Sequence, residues 1–216
     1  MNIAIIGAGN VGKGLAQVFS QTRHNVILGT RTTTQGKSAA KEFNADTGKQ
    51  VIGTDISEAV TQADVVIMAV PYGAIENVLV AAGDLSGKII VDATNPVNDD
   101  YTGLVVGFDT SAAEQIQGLA GNVPVVKAFN TVFAQIYALG PRFDETQVQV
   151  FLASDNEQAK QAVTQLVHDA GFDPVDAGPL KNARFLEPLA GLNIQLGYAL
   201  GRGTQIAPIW IEREAA

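Results

Sequence analysis

The stretch Ile3-Ala4-Ile5-Ile6-Gly7-Ala8-Gly9-Asn10-Val11-Gly12 decides the fold of this chain. Its first four residues are apolar and mostly β-branched, which is typical of a central parallel strand that is covered on both faces. Apolar residues at helical spacing follow it directly: Val11, Leu15, Val18 and Phe19. The glycines therefore stand at a strand-to-helix turn, which is the arrangement that binds the pyrophosphate of a dinucleotide.

Each glycine of this turn has its own reason to be a glycine. Gly7 permits the tight turn, Gly9 lets the backbone approach the pyrophosphate, and Gly12 lets the helix pack closely on the strand. Together with Lys13, the same residues also match the first seven positions of a P-loop. We disfavour that alternative because Gly14 stands where a P-loop needs a Ser or Thr hydroxyl for magnesium.

The composition is that of an ordered globular protein with excess negative charge. The 216 residues are 46% hydrophobic, carry a formal net charge of −8 and include no cysteine. These values predict one substantial core without disulfides, and they argue against nucleic acid or an anionic membrane as a partner. No transmembrane span, signal peptide or metal-ligand motif is visible in the sequence, so we expect a cytoplasmic protein without a metal site.

The segment after the second predicted strand, at residues 25–28, indicates which dinucleotide binds. Enzymes for NAD usually place Asp or Glu at this point to accept hydrogen bonds from the adenosine ribose hydroxyls. This chain has Thr30 and Arg31 instead. A hydroxyl and a guanidinium suit a 2′-phosphate, which Arg holds through paired, charge-assisted hydrogen bonds. The sequence therefore predicts NADP(H) as the cofactor, and an ordinary surface arginine is the alternative interpretation.

Alternating strands and helices predict an α/β protein with a Rossmann-type, doubly wound and mainly parallel sheet. Ligands of such sheets bind beyond the carboxyl ends of the strands. Val70, Pro71 and Tyr72 end one apolar strand and should line the reactive half of the cofactor, while Asn95 ends the next and should bond its carboxamide. Tyr72 as a half-buried loop aromatic, and Asn95 as part of a simple turn, are the alternatives.

The segment after the sixth predicted strand, at residues 124–127, should form a wall of the acceptor site. Phe129, Asn130 and Phe133 stand beyond the end of that strand. Two aromatic rings and a neutral amide suit a flat tricyclic ring system with a polar edge. The alternative is that these aromatic side chains only close the core.

Two units are expected: an NADP-binding Rossmann domain over 1–140, and a small C-terminal α/β extension over 141–216 for substrate binding and dimerisation. In the first unit a polar helix is expected over 38–43. In the second unit we predict a helix over 156–170 capped by Asp155, and a long last helix over 182–200 that Pro188 kinks or starts. The leucines of this last helix exceed what a small core needs, so we expect a homodimer through it.

Several motifs together resemble the NADP oxidoreductases that use the deazaflavin coenzyme F420. They are the glycine turn, Thr30-Arg31, Val70-Pro71-Tyr72, Ser111-Ala-Ala-Glu114 and, most distinctively, Asp176-Ala-Gly-Pro-Leu180-Lys-Asn182-Ala-Arg184-Phe-Leu-Glu187. The resemblance spans nearly the whole chain and implies a small dimer that stacks the deazaflavin against the nicotinamide of NADP. It also implies the positions of the NADP site, which here are Gly7, Gly9, Asn10, Val11, Gly12, Thr30, Arg31, Val70, Pro71 and Ala134.

The chain departs from that family in two places. Thr32 to Gln35 include no further basic residue after Arg31, which implies a weaker hold on the phosphate. Asn130 stands where the family has a histidine, and Lys127-Ala-Phe-Asn-Thr131 is similar to the oxidoreductase domain of the six-transmembrane metalloreductases, which pass hydride from NADPH to a flavin. This departure favours FMN, FAD or riboflavin over the deazaflavin as acceptor.

The leading hypothesis is therefore an NADPH-dependent oxidoreductase that transfers hydride between NADP(H) and a flavin or deazaflavin acceptor. Hydride transfer between two bound rings needs no acid–base residue, and no catalytic residue stands out in this sequence. One alternative is an NADPH-dependent reductase of a small carbonyl or imine substrate, for which Tyr72 would donate the proton. Another is a non-catalytic NADP-binding sensor.

Overall fold

The computed structural model of the protein describes residues 1–213 and is built around a six-stranded sheet. The strands are β1 Asn2–Ile6, β2 Asn25–Thr30, β3 Ile52–Asp55, β4 Val65–Met68, β5 Ile89–Asp92 and β6 Val125–Lys127. All neighbours pair in parallel, in the order β3-β2-β1-β4-β5-β6. The chain thus runs outward from β1 in both directions, which confirms the predicted Rossmann-type, doubly wound fold.

Helices cover both faces of this sheet. They are α1 Asn10–Phe19, α2 Thr33–Thr47, α3 Ile56–Gln62, α4 Ile75–Ala82, α5 Ala112–Ala120 and α6 Ala134–Leu139. Alternate side chains of β1 enter opposite layers: Ile3 and Ile5 pack in the cluster under α1, and Ala4 and Ile6 in the cluster under α3. Each fully buried aliphatic side chain contributes roughly 1.5–3 kcal/mol. The apolar strand that opens the chain therefore holds both layers together.

The C-terminal part of the chain forms a smaller set of elements. They are β7 Arg142–Phe143, β8 Thr146–Gln147, β9 Gln149–Leu152, α7 Glu157–Asp169, β10 Asp173–Asp176, α8 Ala183–Ile194 and a π-helical turn Gln195–Ala199. β9 and β10 pair in parallel, and a backbone bridge between Lys127 and Ala153 joins them to β6. Val150 and Leu166 pack in the same cluster as Ile5. The core is thus continuous across residue 140, and the division into two units stays a prediction.

Local details differ from the sequence-based expectations at several element ends. The cap of α7 is Asn156, which accepts a hydrogen bond from the Ala159 N–H at 2.9 Å. The predicted cap, Asp155, instead accepts from the N–H of Leu180 at 3.0 Å and so ties the start of α7 to the segment before α8. The prediction of Asp155 as a cap was wrong because this tertiary contact uses its carboxylate. In addition, α2 begins at Thr33, earlier than expected.

The long last helix is confirmed, and it runs through α8 into the π-helical turn. Pro188 lies inside α8 and does not mark its start. The apolar side chains of this helix divide between two environments: Leu186 is buried, whereas Phe185, Leu192 and Leu200 are largely exposed. Part of the helix therefore covers the core, and part of it leaves an apolar face uncovered.

Among residues 1–213, no helix combines the length and the apolar character that crossing a membrane requires. The same residues contain no group of three or more His, Cys, Asp or Glu side chains placed to hold a metal ion.

Candidate functional site

The glycine turn joins β1 to α1, and its packing separates the roles of the three glycines. Gly7 has a φ of +111°, and a Cβ there would stand 2.4 Å from the Ala69 carbonyl oxygen. A Cβ on Gly12 would stand 1.9 Å from the carbonyl oxygen of Gly7. A Cβ on Gly9 would meet no described atom within 4 Å. Gly7 and Gly12 are therefore required by packing, while Gly9 borders open space.

The start of α1 is suited to bind an anion. Its N-cap is Gly9, no side chain caps it, and its first turn carries no acidic residue. The first N–H groups of the helix are therefore free for a ligand, and the positive end of the helix dipole adds to the attraction. Two cavities border this turn, and the glycine turn lies between them.

The β2-side cavity has a volume of about 710 Å³. Its lining includes Gly7, Thr30, Arg31, Gln35, Val70 and Pro71. The structure thus brings together the glycine turn and the Thr30-Arg31 pair that the sequence singled out. Arg31 is exposed and makes no ion pair with any residue described, so its guanidinium is available to a ligand.

The sequence did not reveal an acidic side chain that comes close to this cavity from β3. Asp55 stands opposite Thr30 in the strand register, and its carboxylate accepts hydrogen bonds from the Thr33 hydroxyl at 2.7 Å and the Glu58 N–H at 3.0 Å. These hydrogen bonds, the Glu58 N–H first, lower the pKa of Asp55. Because both oxygens serve protein donors, Asp55 acts as a helix cap. Asp55 comes close to Thr30 through the pairing of β2 with β3, which the sequence alone did not indicate.

The residues after β4 do not all line one cavity, and their contact to the reactive half of the cofactor stays a prediction. Val70 and Pro71 line the β2-side cavity and not the cavity that contains Asn130. Tyr72 lies in neither of the two: it starts a short 3-10 turn and donates a hydrogen bond to the Gln115 side chain. Burial, followed by the charge of Glu187, raises the pKa of Tyr72. Tyr72 is therefore separated from both cavities that border the glycine turn.

The β6-side cavity has a volume of about 220 Å³ and lies beyond the carboxyl ends of β5 and β6. Predicted site residues in its lining are Asn10, Val11, Asn95, Phe129, Asn130, Phe133 and Ala134. Further lining residues that the sequence did not single out are Tyr101, Gln135, Asn193 and Tyr198. These come from the loop after β5, the first turn of α6, α8 and the π-helical turn, so the cavity is assembled from distant parts of the chain.

Two asparagines form a mutual hydrogen-bonded pair at the floor of this cavity. Asn95 Nδ2 donates to the Asn130 carbonyl oxygen at 2.8 Å, and Asn130 Nδ2 donates to Asn95 Oδ1 at 3.0 Å. Asn130 Nδ2 also donates to the Leu186 carbonyl oxygen at 3.0 Å. The Asn95 amide, expected to bond a carboxamide, is thus engaged with the protein on both of its polar atoms.

The predicted aromatic wall is only half present. Phe129 has a left-handed φ of +67° and is 2% exposed, and its ring packs edge-on against Phe19, Tyr137 and Phe172. Its ring therefore packs in the core, as the alternative interpretation expects, while Phe129 also borders the cavity and its contact to an acceptor stays a prediction. Phe133 instead meets Tyr198 edge to face, with ring centroids 5.7 Å apart. The π-helical turn thus supplies the second aromatic ring of the cavity.

A fully buried charge cluster lies below the same strand ends. Lys127 Nζ donates to Asp92 Oδ2 at 2.8 Å, to Glu187 Oε1 at 2.8 Å and to the Thr94 carbonyl oxygen at 2.7 Å. Glu187 also accepts the first two N–H groups of α5, at 2.9 and 3.2 Å. Burial raises the pKa of Glu187, and the charge of Lys127 opposes that shift. Through these bonds one lysine connects β5, β6 and α8 and holds the turn that carries Asn95.

The parallel sheet, the glycine turn at the end of β1 and the uncapped start of α1 define a Rossmann-type dinucleotide-binding protein. A family model described as "NADP oxidoreductase coenzyme F420-dependent" matches residues 2–96. The F420-dependent NADP reductase of Methanocaldococcus jannaschii is 30% identical, over 90% of this chain and 93% of that protein. The chain therefore belongs to the family of F420-dependent NADP oxidoreductases.

Two further comparisons, one with a longer relative and one with a solved structure, describe what else the chain is similar to. Metalloreductase STEAP3 of Rattus norvegicus is 28% identical over 87% of this chain, which spans only 36% of the length of that relative. The solved structure of a candidate F420-dependent NADP reductase from Arthrobacter sp. FB24 superimposes with a TM-score of 0.83 at 28% identity, over 94% of this chain and 96% of that chain. Both resemblances noted in the sequence are therefore confirmed.

Proposed function

We propose that this protein transfers hydride between NADP(H) and a deazaflavin coenzyme of the F420 type. The observation that carries the proposal is the β6-side cavity, which reaches the first turn of α1 at Asn10 and Val11 and carries exposed aromatic rings at its mouth. Relatives named as F420-dependent NADP reductases support the choice of both reactants.

NADP would lie across the glycine turn, with its adenosine half in the β2-side cavity and its nicotinamide in the β6-side cavity. The open space at Gly9 accommodates the pyrophosphate between them. Arg31, with Thr30 beside it, supports a contact to the 2′-phosphate, because a free guanidinium holds a phosphate through two parallel hydrogen bonds. The net charge of −8 gives no general attraction for this ligand, so such local groups have to supply it.

The acceptor would bind at the mouth of the β6-side cavity. Tyr101 and Tyr198 are 59% and 63% exposed there, and Phe133 supports Tyr198 from below. The Gln195 side chain donates a hydrogen bond to the Tyr101 carbonyl oxygen, which ties the loop after β5 to the π-helical turn. Aromatic side chains held in this way suit a flat, tricyclic ring system better than a small polar compound.

The preference for a flavin over a deazaflavin depended on Asn130 at the edge of the acceptor. Asn130 is nearly buried, and its Nδ2 donates to Asn95 and Leu186. Its amide is therefore far less available to a ligand at the mouth than the sequence implied. We accordingly propose the deazaflavin as acceptor and keep FMN, FAD and riboflavin as the compounds to test against it.

The bound cofactor supplies the hydride, and the protein supplies position. The side chains around the cavity would hold the two rings face to face and keep water from the reacting carbon atoms. Reduction of a small carbonyl or imine would need a proton donor beside the substrate. Tyr72, the donor considered for that reaction, lies outside the cavity and bonds Gln115. This position counts against the alternative.

We also propose that the protein is a homodimer through the exposed apolar face of its last helix. Phe185, Leu192 and Trp210 are exposed beside one apolar groove. Monomeric proteins seldom leave such a patch open to water. Leu192→Glu should convert the dimer to a monomer in sedimentation, while Leu139→Glu, at a leucine on α6 that is even more exposed, should not. A monomeric wild type at micromolar concentration would refute this arrangement.

Steady-state kinetics with NADPH and four acceptors tests the proposed activity. The deazaflavin, FMN, FAD and riboflavin are compared in parallel, for the wild type and for Tyr198→Ala. We expect the deazaflavin to be the fastest acceptor and Tyr198→Ala to raise its KM about tenfold, because the variant loses the outer stacking ring. Faster reduction of any flavin would contradict the choice of acceptor. NADPH binding without oxidation by any of the four would favour the sensor hypothesis.

A further inference from the structure

Two buried amide oxygens in the β6-side cavity lack hydrogen-bond donors. Asn130 Oδ1 and Gln135 Oε1 are both inaccessible to solvent, and neither accepts a hydrogen bond from any residue between 1 and 213. Both residues line the cavity. Folded proteins leave few buried acceptors unpaired because each such group loses its hydration without compensation. Because both oxygens are closed to water in this structure, a ligand that brings N–H donors into the cavity would satisfy them only after the groups that cover them move aside.

The orientation of the Asn130 amide is fixed by its neighbours. Asn95 Nδ2 must face the Asn130 carbonyl oxygen, because the Asn95 Oδ1 atom would repel it. Asn95 Oδ1 therefore faces Asn130, whose Nδ2 donates to it and to the Leu186 carbonyl oxygen. A flipped Asn130 amide would place oxygen against both acceptors. Two backbone carbonyls thus determine that the free atom of Asn130 is its oxygen.

The depth of these two oxygens indicates which of the two proposed ligands, the nicotinamide or the redox acceptor, would bind them. Asn130 is 6% exposed, in contrast to the tyrosines at the mouth. In the proposed arrangement the nicotinamide, attached to a pyrophosphate at the glycine turn, would enter deeper than the acceptor that stacks outside it. Its carboxamide carries two N–H donors on one nitrogen. The pyrimidinedione edge of a flavin or deazaflavin presents one N–H between two carbonyls, which would set oxygen against oxygen here.

We propose that Asn130 Oδ1, together with Gln135 Oε1, accepts hydrogen bonds from the nicotinamide carboxamide of NADP(H) and so fixes the rotation of the ring. This inference rests on the proposed NADP(H) function. It gives Asn130 a contact to the cofactor in place of the predicted contact to the acceptor. Asn130 thus takes the contact to the carboxamide that the sequence assigned to Asn95. Asn95 instead orients the Asn130 amide through the hydrogen bonds between them.

Equilibrium binding of two oxidised cofactors tests the assignment. NADP⁺ is compared with its 3-acetylpyridine analogue, in which a methyl ketone keeps the carbonyl and removes both N–H donors. Binding of the oxidised forms alone is measured, so the different reduction potentials have no influence. We expect the wild type to bind NADP⁺ roughly ten- to a hundredfold more tightly than the analogue.

Variants connect that preference to the two side chains. Gln135→Leu and Asn130→Ala should each weaken NADP⁺ binding about tenfold and leave the affinity for the analogue nearly unchanged. Gln35→Ala, in the β2-side cavity, is the matched control and should affect both cofactors equally, because they share the adenosine half. The wild-type comparison stands even where a variant fails to fold.

Each remaining outcome overturns the assignment in a different way. Equal affinity of the wild type for the two cofactors would remove the carboxamide contact while leaving the proposed function intact. An unchanged preference for NADP⁺ in Asn130→Ala and Gln135→Leu, with an altered KM for the acceptor, would assign the two oxygens to the acceptor. Failure of both cofactors to bind would refute the proposed function itself.

Discussion

The two cavities beside the glycine turn are built in opposite ways. The β2-side cavity is lined entirely by residues from the first 81 positions, and its charged group, Arg31, stands free. The β6-side cavity combines residues from positions 10 to 198, and its Asn95, Asn130 and Asn193 side chains donate hydrogen bonds to other groups of the protein. The first cavity is a product of local motifs. The second depends on long-range contacts, which makes it sensitive to changes that never touch a ligand.

The largest expected effect on stability, and so the clearest test of the difference between the two cavities, comes from substituting Lys127. Lys127→Met leaves Asp92 and Glu187 buried without their cation, so the free energy of unfolding should fall by about 3–5 kcal/mol. Denaturant unfolding measures this loss. Lys13→Met, which breaks the exposed pair with Glu42 between α1 and α2, is the control and should cost less than about 1 kcal/mol. Similar losses in the two variants would contradict the comparison.

The glycine turn provides the next largest effect and separates stability from binding. Gly12→Ala should lower the free energy of unfolding by about 3 kcal/mol, because its methyl group meets a backbone oxygen that cannot move aside. Gly9→Ala should keep the stability and weaken NADP⁺ binding about tenfold or more, because the methyl group occupies the space kept for the pyrophosphate. Thermal unfolding without ligand, followed by a binding titration, distinguishes them. A destabilised Gly9→Ala protein would be the contrary result.

Arg31 tests whether the β2-side cavity is selective for the phosphorylated cofactor. Arg31→Ala should cost about 1.5–3 kcal/mol of NADPH affinity, which is roughly ten- to a hundredfold. NADH binding should hardly change, because NADH has no 2′-phosphate. Arg23→Ala removes an exposed arginine that pairs with Asp169 away from both cavities, and it should leave both affinities unchanged. An equal loss for the two cofactors in Arg31→Ala would remove the phosphate assignment.

The smallest effect is a pH dependence of stability with opposite signs at two glutamates near the start of α5. Burial raises the pKa of Glu187 above its ordinary 4.5, so its contribution to stability declines as pH rises from 4.5 through the raised pKa. Hydrogen bonds from Arg184 lower the pKa of Glu114, so its contribution is present above 4.5 and lost as pH falls through the lowered pKa.

Urea midpoints between about pH 3 and pH 7 measure both contributions. Glu187→Gln should flatten the pH dependence above 4.5, and Glu114→Gln should flatten it below 4.5. Each variant thus serves as the control for the other. A single change that flattened the whole curve would show that the two carboxylates titrate together.

The fold and the β2-side cavity were predictable because their causes are local. The apolar run 3–6, the glycines and the pair Thr30-Arg31 each act through neighbouring backbone, so the sequence states their role directly. The cap of α5 at Ser111 also has a local cause, since its hydroxyl accepts a hydrogen bond from the Glu114 N–H three residues later. Asp155 does not cap α7 because its carboxylate accepts a hydrogen bond from the N–H of Leu180, which is 25 residues away.

The β6-side cavity was predictable only in outline. Strand ends at Asn95 and Asn130 indicated its place, but the pairing of the two amides needs positions 35 residues apart to meet. The sequence carried one sign of the buried charge cluster around Lys127, which is a glutamate within an apolar helix segment. Glu187 follows the buried Leu186 there and is itself buried. A charged residue on a core-facing position requires a partner of opposite charge, and Lys127 at the end of an apolar strand was that partner.

The π-helical turn has a consequence for how acceptor preference can change over time. A π turn holds about one residue more than an α-helical turn, and here that surplus carries Tyr198 to the mouth of the cavity. Gly197 leaves room for Phe133, whose ring would stand 2.7 Å from a Cβ. Loss of one codon would restore ordinary winding and swing Tyr198 about 100° around the helix axis. An insertion or deletion, without any substitution, would thus reshape the proposed acceptor side of the β6-side cavity and spare the β2-side cavity.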